Sequence, residues 1–260
     1  MVTGSSAGIG LACARELASR DFDIILLGHK EHELEEARRQ VLARRADVQV
    51  KTVIINCVTA TAEDIHRALQ PIYNLEITVL VNNVGGLVPV QPSGFKPIWR
   101  YTAEEIDATI NLNLRFMAHL TRLLMPILIQ NSPALIISIS SQARFGCPYT
   151  AVYSGAKAFV ASLSNAVNRE NTLDGVDVSA IAVISGEVRS QANSRPATGM
   201  IECDVFAREL FNKAPAAAAL GTMEITVHWK HRLTGSLLRA LPEWLLARMI
   251  VKNLHRGDPG

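Results

Sequence analysis

Short, near-continuous apolar runs alternate with longer helical patterns through most of this chain, and few folds accept that alternation. The runs are 22–27, 48–55, 77–81, 135–140 and 176–184. Strands that are apolar on both sides belong in a parallel sheet with helices covering both faces. The segments between them supply those helices. Residues 31–45 are rich in Glu, Arg, Leu and Ala, and Thr61-Ala62-Glu63-Asp64 and Thr102-Ala103-Glu104-Glu105 are capping boxes that open two more. The second box starts a helical stretch running towards Pro126, and a further helix is expected over about 150–171. The fold class expected is therefore α/β. Beyond Gly186 the pattern weakens. Residues 187–235 read as loop and short helix, followed by a last amphipathic helix over about 236–253.

Length and composition narrow the function. The 260 residues form about one large domain, and 48% apolar with 19% charged residues is enough to bury a core. A formal charge of +2, from 26 basic and 24 acidic residues, does not advertise a nucleic-acid partner. Cys13, Cys57, Cys147 and Cys203 lie far apart, with neither a disulfide framework nor zinc spacing, so a reducing compartment and no metal are expected. No run reaches the roughly 18 apolar residues of a membrane span. A glycine motif at the third residue leaves no room for a signal peptide. A cytoplasmic protein is the expectation.

Four motifs carry chemistry. Thr3-Gly4-Ser5-Ser6-Ala7-Gly8-Ile9-Gly10 spaces three glycines as G-x-x-x-G-x-G between a strand and a helix. Such a loop lets backbone approach a pyrophosphate, and the helix N-terminus adds N–H groups and a positive dipole end. Tyr153-Ser154-Gly155-Ala156-Lys157 puts a phenol and an ammonium on one helix face, where the cation is expected to lower the phenol pKa. Ser140-Ser141 closes a buried strand, where a hydroxyl can bind a substrate oxygen. Asn82-Asn83-Val84-Gly85 closes another and would alone be only a turn.

In this order and spacing the motifs resemble the short-chain dehydrogenase/reductase family over residues 1 to about 190. The resemblance implies a Rossmann-type doubly wound sheet in order 3-2-1-4-5-6, extended by a seventh strand. It implies a cofactor site at Thr3, Gly4, Ser6, Gly8, Ile9 and Gly10, at Asn83 and Gly85, and at Gly186 and Val188. It makes Tyr153 the proton donor, with Lys157 tuning it and holding the nicotinamide ribose. Asn113, in preference to Asn111, would hold a relay water, because the family's spacing to Thr121-Arg122 fits it. Ser141 would bind the substrate oxygen; counting back thirteen residues from Tyr153 selects Ser140 instead. After the second strand comes Gly28-His29-Lys30. NAD enzymes of the family generally place an Asp at the first of these, so NADP(H) is the expected cofactor, with His29 and Lys30 at its 2′-phosphate.

The segments Thr226-Val227-His228-Trp229-Lys230-His231 and Leu241-Pro242-Glu243-Trp244 are similar to the C-terminal region of very-long-chain 3-oxoacyl-CoA reductases and related 17β-hydroxysteroid dehydrogenases. The function expected is reduction of a ketone on a lipophilic substrate, or oxidation of the matching alcohol. A non-catalytic dinucleotide-binding scaffold and an isomerase on the same fold are the alternatives. Residues 191–260 would form the substrate side of a single domain. Leu237, Leu238, Leu241, Trp244, Leu245 and Ile250 make an apolar stripe, interrupted by Arg239, Glu243, Arg248 and Lys252. It could pack in the core, roof a pocket, dock on a partner or lie peripherally on an intracellular membrane. Homo-oligomers built through the helices at 102–126 and 150–171 follow from the resemblance. Against the family pattern, only Met1 and Val2 precede Thr3, so the first strand is expected to be clipped. Cys57 stands where an adenine-binding Asp is common, and Ser185-Gly186 replaces Pro-Gly.

Overall fold

The apolar runs become the strands of one sheet. The computed structural model describes residues 1–87, 95–191, 193, 200–242, 244, 245 and 248. In chain order its first half holds β1 (Val2–Thr3), α1 (Gly8–Ala18), β2 (Ile24–Gly28), α2 (Glu31–Arg44), β3 (Val50–Ile54), α3 (Ala62–Leu69) and β4 (Val79–Asn82). Then follow α4 (Ala103–Ile110), a π-helical turn (Asn111–Arg115), α5 (Phe116–Gln130), β5 (Ala134–Ser141), α6 (Ala151–Leu173) and β6 (Val178–Ser185). The remainder is β7 (Val188–Arg189), β8 (Ile201–Glu202), α7 (Cys203–Ala219), β9 (Glu224–Ile225) and α8 (Trp229–Ala240).

Seven strands pair in the order β3-β2-β1-β4-β5-β6-β9, every ladder parallel. The expected order holds, and the seventh strand is β9. Neighbouring strand residues point to opposite faces, so Leu26, Val81 and Ile137 enter one apolar layer while Leu27, Leu80 and Ile136 enter the other. The first layer is closed by Cys13, Leu17, Leu34, Phe206 and Leu210, the second by Ile65, Leu69, Phe116, Leu120 and Leu124. The chain leaves β1 towards one edge and returns to β4 on its other side. That reversal opens a crevice beyond the carboxyl ends of β1 and β4, where ligands bind in open α/β sheets.

Three expectations need correction. Residues 187–235 contain three short strands and the whole of α7, a 17-residue helix. Alanines provide much of its buried face and Pro215 lies inside it, so the sequence pattern reads as broken. The last helix starts at Trp229 rather than 236, capped by His228, whose Nδ1 accepts the Lys230 N–H at 3.2 Å. It ends at Ala240 because Leu241, preceding a proline, takes extended backbone. Of the stripe and the charges that interrupt it, Ile250, Glu243 and Lys252 lie outside the described residues, as do the side chains of Leu238 and Arg239. Finally, α5 passes Pro126 and continues to Gln130, where the buried Ile127 and Leu128 offset the lost helical bond. Residues Ala103–Gln130 are long and apolar enough to cross a membrane by length and composition, but half of the most apolar stretch is buried in this fold.

Candidate active site

The crevice is built by clipping two strand ends together. Thr3 Oγ1 accepts the N–H groups of Asn83 and Val84, each at 2.9 Å, and Asn83 Nδ2 donates to Thr3 O at 2.9 Å and Gly4 O at 3.2 Å. Gly4 and Gly8 adopt φ of +61° and +60°, and a Cβ on Gly10 would overlap the Gly4 carbonyl. The loop therefore needs its glycines to fold back on itself. Ala7 at the N-cap of α1 has no side-chain oxygen, so the first-turn N–H groups keep no cap of that kind. This cradle of backbone donors fits a pyrophosphate. Ser6 and Ile9 are half-buried around it, and Ser190 lies across Gly8 beside a cavity of about 250 Å³.

Lys157, on α6, is 4% exposed and donates from Nζ to Ile139 O at 2.9 Å. A Cβ on Gly85 would stand 3.2 Å from that nitrogen and 2.7 Å from Asn113 Oδ1, so Gly85, Lys157 and Asn113 converge. Asn113 lies in the π-turn, a common distortion at functional positions. Its Nδ2 donates to Gly86 O at 3.0 Å and Thr109 O at 3.1 Å, while its Oδ1 accepts the Gly86 N–H at 2.9 Å. Asn111 begins the same turn, half-buried.

Tyr153 sits one turn before Lys157, with the ammonium 5.6 Å from its ring centroid. Burial pushes the phenol up to about 12, Ser141 pulls it partly back, and the nearby Glu187 and Cys147 push it further up. Burial lowers Lys157 to about 8. The expectation that the ammonium lowers the phenol pKa does not hold here, because burial of the phenol dominates and raises it; the Lys157 Nζ itself donates to the Ile139 carbonyl. A phenol in this setting keeps its proton at neutral pH and is a donor. The two serines at the end of β5 point different ways. Ser140 is 1% exposed and donates a hydrogen bond to Lys157 O at 2.7 Å; Ser141 is half-buried, accepts the Ala143 N–H at 3.1 Å and interacts with the phenol.

A family model described as short chain dehydrogenase matches residues 1–198. The chain belongs to this family. Its relatives include the very-long-chain 3-oxoacyl-CoA reductases of Pyricularia oryzae, 27% identical over 90% of this chain and 70% of that protein, and of Mus musculus, 27% identical over 96% and 78%. Among solved structures, one from a study of 7β-hydroxysteroid dehydrogenase stereoselectivity superposes with a TM-score of 0.79 at 17% identity, covering 96% of this chain and 95% of that one. A short-chain dehydrogenase from Sphingobium yanoikuyae in complex with NADPH gives 0.72 at 22% identity, covering 93% and 95%. The fold is shared with both.

As a short-chain dehydrogenase, the chain also brings Glu187 and Gln142, which no motif pointed to, and His231, singled out in the sequence only within the C-terminal segment, beside the site. Glu187 follows Ser185-Gly186, and its carboxylate accepts from Asn193 Nδ2 at 2.5 Å. His231 Nε2 lies 3.0 Å from Glu187 O, and its ring presses on Gly186, where a Cβ would come within 2.6 Å of it. The His231 carbonyl accepts from Gln142 Nε2, and Thr234 Oγ1 reaches Gln142 Oε1 at 3.3 Å. These bonds clamp α8 beside Ser141. For Glu187 and Gln142 the sequence signal was adjacency to Gly186 and Ser141; for His231 it was the Thr226–His231 segment. Val188 is buried, paired with Ile201. At the other end of the crevice, a Cβ on Gly28 would meet Leu34 at 3.1 Å, and His29 is exposed. Lys30 is not free: its Nζ pairs with Glu33 Oε1 at 2.8 Å. That bond and a hydrogen bond from Ser6 help to hold the Glu33 carboxyl below the usual range.

Proposed function

We propose that this oxidoreductase is an NADP(H)-dependent ketoreductase acting on a lipophilic substrate. Residues 1–190 would hold the cofactor and the catalytic groups, and 191–260 would form the substrate side. The observation that carries this reading is the Tyr153 phenol interacting with Ser141 at the end of β5, with a buried lysine one turn behind it. The glycine cradle would hold the pyrophosphate, with Lys157 and Asn83 towards the nicotinamide and His29 and Lys30 towards a 2′-phosphate. The bound dihydronicotinamide would supply the hydride.

As negative charge builds on the substrate oxygen, Ser141 and Tyr153 donate hydrogen bonds to it, and Tyr153 then gives up its proton. Asn113, bonded to Gly86 and converging on Lys157, holds the path along which that proton is replaced. The relatives' name makes a long-chain 3-oxoacyl thioester the first substrate to assay, on a cytoplasmic enzyme whose α5 and α6 would meet a second copy. Tyr153→Phe should lower NADPH oxidation with such a ketone about 10²-fold or more and leave cofactor affinity nearly unchanged. Near-normal turnover would defeat the reading.

A further inference from the structure

Helix α8 is amphipathic in the wrong direction for a core helix. Among the described side chains its inward side is polar: His231 is buried against Gly186, Thr234 bonds Gln142, and Gly235 lets Gln142 approach, since a Cβ there would stand 2.9 Å from its Nε2. Its outward side carries Trp229, Leu233 and Leu237, which are 59%, 62% and 50% exposed. At 3.6 residues per turn these three lie along one stripe. Trp244, just beyond the helix, is 63% exposed. Core packing is therefore excluded for Leu237 and Trp244. Soluble surfaces scatter single apolar residues, but a row of this kind marks a docking surface.

Charge selects what docks. Lys230 and Arg232 border the stripe on its two sides, and the Lys230 and Arg248 cations lie 5.9 Å and 5.6 Å from the Trp229 and Trp244 rings. From Trp229 to Arg256 the sequence holds six Lys and Arg against one acidic residue, Glu243. A second copy would bring this basic rim against itself, whereas an anionic lipid surface complements it. Exposed tryptophans beside basic residues are also what holds a helix in the headgroup region. The clamp of His231 on Gly186 and Glu187, and of Gln142 on α8, holds the inward side of α8 against Gln142, the residue after Ser141, and leaves the stripe facing out.

We infer that the outward face of α8 docks on an anionic bilayer, so that the mouth of the crevice opens at the lipid surface and a lipophilic substrate reaches it without crossing water. The use of the contact rests on the ketoreductase reading, but the contact itself rests on the exposed stripe and its basic rim alone. The test is flotation of the full chain with vesicles of phosphatidylcholine alone, or with a quarter phosphatidylserine. The protein should float with the anionic vesicles, much less with the neutral ones, and come off as salt is raised. Leu233→Ser with Leu237→Ser should weaken binding about tenfold or more. Lys230→Glu with Arg232→Glu should weaken it on anionic vesicles. An unchanged unfolding temperature and cofactor titration verify that each variant is folded. Absence of flotation, or equal flotation of wild type and the leucine variant, overturns the inference. So does a self-associated wild type that the leucine variant converts to monomer, which assigns the face to a second copy. Flotation without ketone turnover would leave the docking standing and defeat the ketoreductase reading; turnover without flotation would do the reverse.

Discussion

Replacing Lys157 by methionine should make this protein more stable at neutral pH while disabling it. The ammonium is 4% exposed, and burial lowers its pKa from 10.5 to about 8. A shift of that size means the folded state bears about 3 kcal/mol for keeping the group charged. Methionine has similar length and no charge, but it removes the bond to Ile139 O at 2.9 Å, which gives back about 1 kcal/mol. The net gain expected at pH 7 is about 2 kcal/mol. Its pH dependence is distinctive. Between about 8 and 10.5 the unfolded chain holds the Lys157 proton and the folded chain has released it, so wild-type stability gains from this group as pH rises. The penalty is full below about 8 and gone above 10.5. The Lys157→Met variant lacks that gain, so its advantage should nearly vanish by about pH 9.5. Urea unfolding of both proteins at one concentration, followed by tryptophan fluorescence at the two pH values, measures the difference directly. A gap that is the same at both pH values, or a variant less stable at pH 7, would refute desolvation as the dominant effect at this lysine. Turnover should fall in parallel, a trade between stability and activity common at functional sites.

Ser141→Ala should damage turnover more than Ser140→Ala, because only the former hydroxyl interacts with the phenol; steady-state rates rank them, and the reverse order would reassign the substrate serine. Glu33→Gln should release Lys30 and tighten NADPH binding, while Lys30→Ala with His29→Ala should weaken it and spare NADH; fluorescence titration of both cofactors reads this. Gly10→Ala forces a methyl into the Gly4 carbonyl, and about 2 kcal/mol or more should be lost, with cofactor binding, in denaturant titrations. Glu224→Gln weakens a two-pronged pair with the largely buried Arg144, both contacts at 2.7 Å, that ties the edge strand β9 to the segment after β5; a loss of about 1–2 kcal/mol is expected in the same titrations, since Glu224 is a third exposed and glutamine keeps one acceptor.

The alternating apolar runs carried the α/β class and the parallel sheet in the primary sequence, because periodicity and turn chemistry are local properties that survive without coordinates; the strand order and the crevice came only with the family resemblance that the glycine, Asn-Asn and Tyr-Lys motifs carry. The ends of elements shifted where a local signal misled. Pro126 lies within α5, and Pro215 with its alanines hid α7, since burial in a tertiary setting outweighed propensity in both places. The electrostatics of the site were not legible at all. Sequence spacing sets Lys157 beside Tyr153, but only the fold turns its ammonium to the Ile139 carbonyl and, by burying the phenol, raises the phenol pKa. The direction of α8 was equally hidden. Its stripe of Trp and Leu is visible in the sequence, yet which side faces the protein depends on His231, Gln142 and Gly186, residues far apart in the chain. A pattern along one helix fixes which residues share a face; only contacts from elsewhere decide whether that face meets the core or the solvent.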